Sequence, residues 1–409
     1  VSTVVHRGDA LTRGQRFVYV IVLGALTAIG PLTIDLYLPA FPELQRDLDI
    51  GAAATQLTLT ATLIGFGVGQ LLVGPWSDKV GRRRPLLIAG SVHIVASVGA
   101  MLSPTIEVLG LFRVLQGMGA AAGIVVATAI VRDLFGGLPL VRMLARLSLV
   151  SGLGPILAPV IGSQLLRFTD WRGVFGFLVI YGVLVLTAAI FFLVETLPPE
   201  RRAAREHRTT WERYRAIFSD RVFVGVAVMG AMIFTGLFSY LSASSFLFQE
   251  VYGLNPQEFG LLFGVNSAGI IIGVQTSARL ARIIRPQWIL AVATAVMVVA
   301  TATLVLLDSA ESGLFGILIP LWIFTAASGF CFPLLQALAL AGHPNEAGTA
   351  ASVLGVLNFG LAGALSPLVG VFGIENAIAM GSMMFVTALI AVLALWIIVR
   401  PRTVPALER

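Results

Sequence analysis

The chain has 409 residues, of which 57% are hydrophobic and only 12% charged, and its formal net charge is +6. With a mean hydropathy of +0.93 it carries more apolar surface than a soluble fold of this length can bury, so composition points to a polytopic membrane protein. The positive balance then reads as a topology signal at helix ends, not as a nucleic-acid footprint, and no nucleic-acid partner is expected. Cys331 is the single cysteine, which excludes an internal disulfide and a cysteine metal cluster. The four histidines (His6, His93, His207, His343) show no ligand spacing, so neither a metal nor a cofactor is expected.

In chain order, residues 1–16 are polar and basic. The apolar run at 17–40 is too long for a signal peptide, contains Pro31 and Asp35, and reads as a retained first span. Further runs fall at about 56–75, 86–103, 107–131, 141–166, 173–194, 222–248, 257–278, 287–307, 313–340, 348–372 and 376–399, which makes twelve spans. Connections are short except for 195–221, rich in arginine and glutamate, which divides the chain into two sets of six. The expected domains are a cytoplasmic N-terminus (1–16), an N-terminal six-helix bundle (17–194), a cytoplasmic linker (195–221), a C-terminal six-helix bundle (222–399) and a cytoplasmic C-terminus (400–409). A pathway between the bundles follows from that symmetry. With both termini inside, 23 of the 27 Lys and Arg residues fall on the cytoplasmic side, 3 fall outside and Arg113 lies within a span. That bias sets the expected orientation.

Between the second and third runs lies a dense polar stretch, Gly74-Pro75-Trp76-Ser77-Asp78-Lys79-Val80-Gly81-Arg82-Arg83-Arg84-Pro85, which holds the only lysine of the chain. So charged a segment cannot cross a bilayer core, and it is expected as a tight cytoplasmic surface loop.

Two ionisable residues fall inside spans, Asp35 in the first and Arg113 in the fourth. Each costs at least about 2.5–3.5 kcal/mol at mid-bilayer, so such residues usually face a cavity or a partner. Counted from their span ends at 1.5 Å per residue, both sit roughly 10 Å below the outer surface, where they can meet across one cavity. As a functional pair, Asp35 alternately binds a proton and a substrate while Arg113 tunes it; as a structural pair, the two lock spans 1 and 4 together. Asp133, beside Arg132 at the inner end of span 4, reads as a solvated salt bridge, with a gate or proton exit as the alternative. Span 5 contains Gly152-Leu153-Gly154-Pro155-Ile156-Leu157-Ala158-Pro159, which suits either a hinge or a close packing seam. A weakly polar pocket is drawn from Tyr37, Gln116, Phe234, Phe238, Tyr240, Asn266, Gln336 and Asn358.

The 74–85 stretch resembles the G-x-x-x-D-[RK]-x-G-R-R loop of the major facilitator superfamily. Thr33-Ile34-Asp35-Leu36-Tyr37-Leu38-Pro39-Ala40, Leu111-Phe112-Arg113-Val114-Leu115-Gln116-Gly117, the Gly-Pro run of span 5, Val131-Arg132-Asp133-Leu134-Phe135 and Phe248-Gln249-Glu250-Val251-Tyr252-Gly253-Leu254 extend the likeness. Together they resemble the twelve-span drug:proton antiporters, within them the bicyclomycin/chloramphenicol resistance group. The resemblance implies an all-α membrane fold of two six-helix bundles rocking about a central site. It further implies a monomeric exporter of a small organic compound in the bacterial inner membrane, with protons and the lipid bilayer as its other partners. By the same resemblance Asp35 is the proton and substrate carboxylate and Arg113 the motif arginine of span 4. Gly74, Asp78, Gly81, Arg82, Asp133, Gly154 and Pro155 belong to the conformational motifs. Some relatives carry a second acid two turns before the aspartate; here that position is Thr27, which argues against doubly charged cations. Two other readings stay open: a transporter of a physiological metabolite such as a nucleoside or amino acid, and a membrane-embedded enzyme. The second lacks a nucleophile–base pair or phosphate loop in the sequence.

Overall fold

The computed structural model describes residues 11–197, 210–310, 312–343, 347–373 and 375–404. Residues 1–10 of the expected N-terminus, 198–209 of the linker and 405–409 of the C-terminus lie outside the described residues.

Twelve long helices account for most of the described chain. They are α1 (Arg13–Asp35), α2 (Ala52–Val80), α3 (Arg83–Met101), α4 (Ile106–Leu134), α5 (Gly137–Leu165), α6 (Trp171–Phe192), α7 (Arg221–Phe246), α8 (Pro256–Leu280), α9 (Pro286–Ser309), α10 (Gly313–Ala341), α11 (Ala347–Leu365) and α12 (Ile378–Leu393). Among the described residues eleven membrane-length spans are apolar enough to cross a bilayer, and α5 carries a shorter apolar stretch, Leu153–Leu165. The helix starts follow local chemistry. Thr12 and Gln15 form a reciprocal capping box on α1, and Asn255 with Glu258 does the same on α8, where Pro256 occupies the first helical position. Helix α1 ends at Asp35 because Pro39, four residues on, has no N–H to offer the Asp35 carbonyl. A 3₁₀ turn, Leu38–Ala40, and a short helix, Phe41–Asp47, follow.

The helices form two bundles of six. In the first, α2 packs on α4, α4 on α3, α3 on α6, and α1 on both α4 and α5; in the second, α10 packs on α8 and α9, and α7 on α11, α12 and α10. The bundles meet along two seams, α2 against α11 and α5 against α8. Helix α7 is buried along nearly its whole length and so stands at the centre of its bundle. Within the first bundle, close approach depends on glycine. A methyl on Gly65 would overlap the Val114 carbonyl, and one on Gly117 would overlap that of Thr62.

The 74–85 segment departs from the expected surface loop. Residues Gly74–Val80 are the last turns of α2, with Pro75 inside the helix, and α3 begins at Arg83. Only Gly81 and Arg82 turn between them, and Gly81 has φ +102°, a conformation that needs glycine. The end of the molecule that carries this turn is called the loop end below, and the opposite one the far end.

Candidate functional site

At the loop end, Arg82 joins three elements. Its guanidinium takes Asp78 of α2 at 2.6 Å, Asp133 of α4 at 2.8 Å and the Ser77 hydroxyl at 3.0 Å. Burial works against the Arg82 charge, but the hydrogen bonds and charges of Asp133 and Asp78 outweigh it and hold its pKa above the ordinary value. Asp133 also accepts from Thr196 at 3.1 Å, and the Glu195 carboxylate accepts the backbone N–H groups of Arg82 and Arg83 at the start of α3. The expected solvated pair of Asp133 with Arg132 is therefore corrected. Arg132 is exposed, whereas the Asp133 side chain is only 10% exposed and faces Arg82. Adjacent residues on a helix do not face each other, and a residue 51 positions away took the carboxylate instead. Gly74 has open space beside it, the nearest neighbour of an added methyl being Val125 at 3.8 Å.

At the centre of the first bundle, Arg113 is fully buried. Its terminal nitrogens donate to the Thr33 carbonyl at 2.9 Å and to Gln116 Oε1, and its guanidinium lies over the Tyr37 ring at 4.0 Å and near the Phe175 ring at 5.4 Å. Carbonyl dipoles and ring faces thus hold a charge that water has left. Tyr37 is steadied by the Thr58 hydroxyl at 3.0 Å, and Gln116 passes the network on to Ser97 at 2.8 Å. Asp35 is also buried, yet its Oδ1 has no hydrogen-bond partner, and no ion pair links it to Arg113. The expected meeting of the two is thus not made here: Arg113 grips the backbone two residues before the carboxylate instead.

The Tyr240 hydroxyl of α7 accepts from Asn266 of α8 at 3.2 Å. Because that hydroxyl accepts from Asn266, its own hydrogen is left to donate. The structure therefore brings Tyr240 and Asn266 together within the second bundle, while three residues after Asp35 the Leu38 carbonyl accepts from Ser245 of that bundle at 2.6 Å. Phe234 and Phe238 stack at 6.3 Å and meet Phe332 and Phe359; Phe359 in turn touches Phe66 of α2 at 4.9 Å. Asn358 sits beside this group with its Oδ1 buried and unpartnered. Gln336 stands apart: it is exposed, one helical turn beyond Phe332 on the same face. The rings of Phe66, Phe332 and Phe359 escaped the sequence reading, since a phenylalanine in an apolar run looks the same whether it faces lipid or a core. The position of Phe359 next to Asn358 was the one available hint.

Pro155 lies at the seam between the bundles, whereas Gly154 packs within the first. A methyl on Gly154 would strike the Pro31 side chain of α1. Pro159 has no N–H to offer the Pro155 carbonyl four residues back, and Ser267 of α8 donates to that carbonyl at 3.4 Å. The far end is closed by side chains that bond to the opposite bundle's backbone. Gln56 of α2, fully buried, donates to the Ser242 carbonyl at 3.2 Å and accepts from Gly370 N–H at 3.1 Å. Ser245 donates to Leu38 at 2.6 Å, Gln249 to Pro39 at 3.0 Å and Gln257 to Ser163 at 2.7 Å. Among the described residues no group of three or more His, Cys, Asp or Glu is placed to hold a metal.

Against known families, the model of the Major Facilitator Superfamily matches residues 23–367. The chain belongs to the major facilitator superfamily. The likeness to an uncharacterized MFS-type transporter, YdgK of Bacillus subtilis, is 38% identity over 96% of this chain and 98% of that protein. A bicyclomycin resistance protein homolog of Haemophilus influenzae is 28% identical over 92% of this chain and 95% of its own length. Among solved structures, the xylose transporter XylE from E. coli, in a partially occluded inward open conformation, superposes with a TM-score of 0.73. It covers 96% of this chain and 98% of that one at 13% identity, which speaks to the fold alone. As a major facilitator protein, the chain is a multi-pass membrane transporter.

Proposed function

We propose that this transporter exports a small organic compound, an antibiotic of the bicyclomycin or chloramphenicol kind, in exchange for protons. The observation that carries the proposal is Asp35: a carboxyl group buried with an unpartnered oxygen, two residues after the Thr33 carbonyl that Arg113 grips and three before Leu38, whose carbonyl bonds across to Ser245 of the second bundle. As an anion it would cost several kcal/mol in a dry site, and either a proton or a substrate donor relieves that cost. Competition between the two at one oxygen is the minimal device for antiport. The aromatic rings of Phe234, Phe238, Phe332, Phe359 and Phe66 supply flat apolar contact, and Asn358 supplies an acceptor. The relative named for bicyclomycin resistance supports the substrate class.

In this reading the protein sits in the bacterial inner membrane with its loop end and both termini on the cytoplasmic side, as the excess of Lys and Arg there supports. The far-end bonds close the outside. Arg82, with Asp78, Asp133, Gly74 and Gly81, forms the cytoplasmic conformational motif, and Gly154 with Pro155 forms the seam on which α5 moves against α1 and α8. Inward movement of each proton supplies about 2.3 kcal/mol per 100 mV of membrane potential. Inside-out vesicles energised with an acidic lumen test this. Adding chloramphenicol or bicyclomycin should make the lumen more alkaline as substrate enters and protons leave. Acidification would mean symport and overturn the exchange.

A further inference from the structure

Arg113 donates to the backbone two residues before Asp35, yet its guanidinium does not pair with that carboxyl group. The reason is a closed circuit of hydrogen bonds. Arg113 donates to the Thr33 carbonyl and to Gln116; Gln116 donates to Ser97; Ser97 donates to the His93 carbonyl at 2.7 Å; and the His93 ring returns to the Thr33 hydroxyl at 2.9 Å. Every member is fully or almost fully buried.

The direction of the last bond follows from counting hydrogens. The Thr33 hydroxyl has one hydrogen, and it is donated to the Ile29 carbonyl at 2.7 Å. The contact with His93 therefore requires His93 Nε2–H to donate to Thr33 Oγ1. The other ring nitrogen, Nδ1, is then a bare lone pair, and it is buried with no partner. It faces Gly182 of α6, where an added methyl would come within 3.4 Å of it. His93 in this form is a neutral, single-direction donor, fixed by α3 and pointed at α1.

From this circuit we infer that His93 is a positioning residue for proton coupling: it holds the Thr33 turn of α1 against Arg113 and so keeps the guanidinium away from Asp35. Without the His93 donor, Thr33 loses one of its two tethers to the first bundle, and Arg113 is free to turn toward the unpartnered carboxylate. The titratable and charged groups facing this set are Asp35 and Tyr37 from α1 and the residues after it, Arg113 from α4, Tyr181 from α6 and Tyr240 from α7. Tyr181 donates to the Ala25 carbonyl at 2.8 Å and Tyr37 meets Thr58, so neither offers Arg113 a second anion. The inference rests on Asp35 being the coupling carboxylate, as proposed above.

The test uses the full chain purified into lipid, with infrared difference spectra following the carboxylic-acid carbonyl band that disappears in Asp35→Asn. His93→Leu keeps the bulk and removes the donor; His93→Gln keeps a donor near the Nε2 position. The pH midpoint of the Asp35 band should fall by about 1–3 units in His93→Leu, the range expected when a carboxylate gains an arginine partner, and should stay within half a unit of wild type in His93→Gln. An unchanged or higher midpoint in folded His93→Leu would overturn the inference, as would equal shifts in both variants. Proteoliposome proton flux on the same samples separates the two claims. A wild type whose Asp35 titrates and whose midpoint shifts with His93→Leu, but which moves no protons with substrate, would refute antiport and leave the positioning role standing.

Discussion

Gln56→Leu is the most direct perturbation of the far-end closure. Leucine has similar bulk but can make neither the bond to the Ser242 carbonyl nor the one from Gly370 N–H. Gly370 N–H also donates to Pro367 at 3.0 Å, so the change leaves no orphaned donor there, and the loss is that of two ordinary buried hydrogen bonds. At about 0.5–1.5 kcal/mol net for each, the far-end-closed state loses about 1–3 kcal/mol relative to a state in which these groups are hydrated. That is a shift of roughly 5–150-fold in the conformational equilibrium. Spin labels at Thr169→Cys, just beyond α5, and Ser309→Cys, at the end of α9, report the far-end separation, in a background where the buried Cys331 is replaced by serine. The Gln56→Leu sample should show a longer-distance population that the parent lacks or holds only weakly. An unchanged distance distribution would refute the view that these bonds latch the two bundles.

Arg82→Ala should destabilise the transporter by about 3–5 kcal/mol, because it leaves the buried Asp133 carboxylate without its cation and with only the Thr196 hydroxyl. Thermal denaturation in detergent should show the loss, and Asp133→Asn in the same chain should recover part of it. Gly65→Ala places a methyl against the Val114 carbonyl and should cost about 1–3 kcal/mol by overpacking. Gly110→Ala meets nothing within 4 Å and lies inside α4, so the same assay should find it neutral or slightly stabilising.

Much of the fold was legible because membrane spans announce themselves by length and hydropathy, and the basic clusters mark their ends. The separation into two sets of six followed from the one long polar connection. Burial of Asp35 and Arg113 was legible for the same reason, since a charge within an apolar run must avoid lipid. Their partners were not. Asp133 met Arg82 and not Arg132, Arg113 took the Thr33 carbonyl and not Asp35, and Gln56 bonded across 186 and 314 positions to the second bundle. Such choices depend on how helices rotate against one another. In spans that are apolar on every side, the periodicity that would reveal the rotation is almost absent. His93 was visible only as a histidine without ligand spacing; its role needed α1, α3 and α4 in place.

Coupling of proton entry to export at Asp35 is read out by a drug panel on a susceptible host lacking its own exporters. Wild type and Asp35→Asn would be compared at equal membrane expression, led by chloramphenicol and bicyclomycin. Protection by the wild type that disappears with Asp35→Asn is the predicted result. Equal protection by the variant would contradict the assignment of the carboxylate as the coupling group.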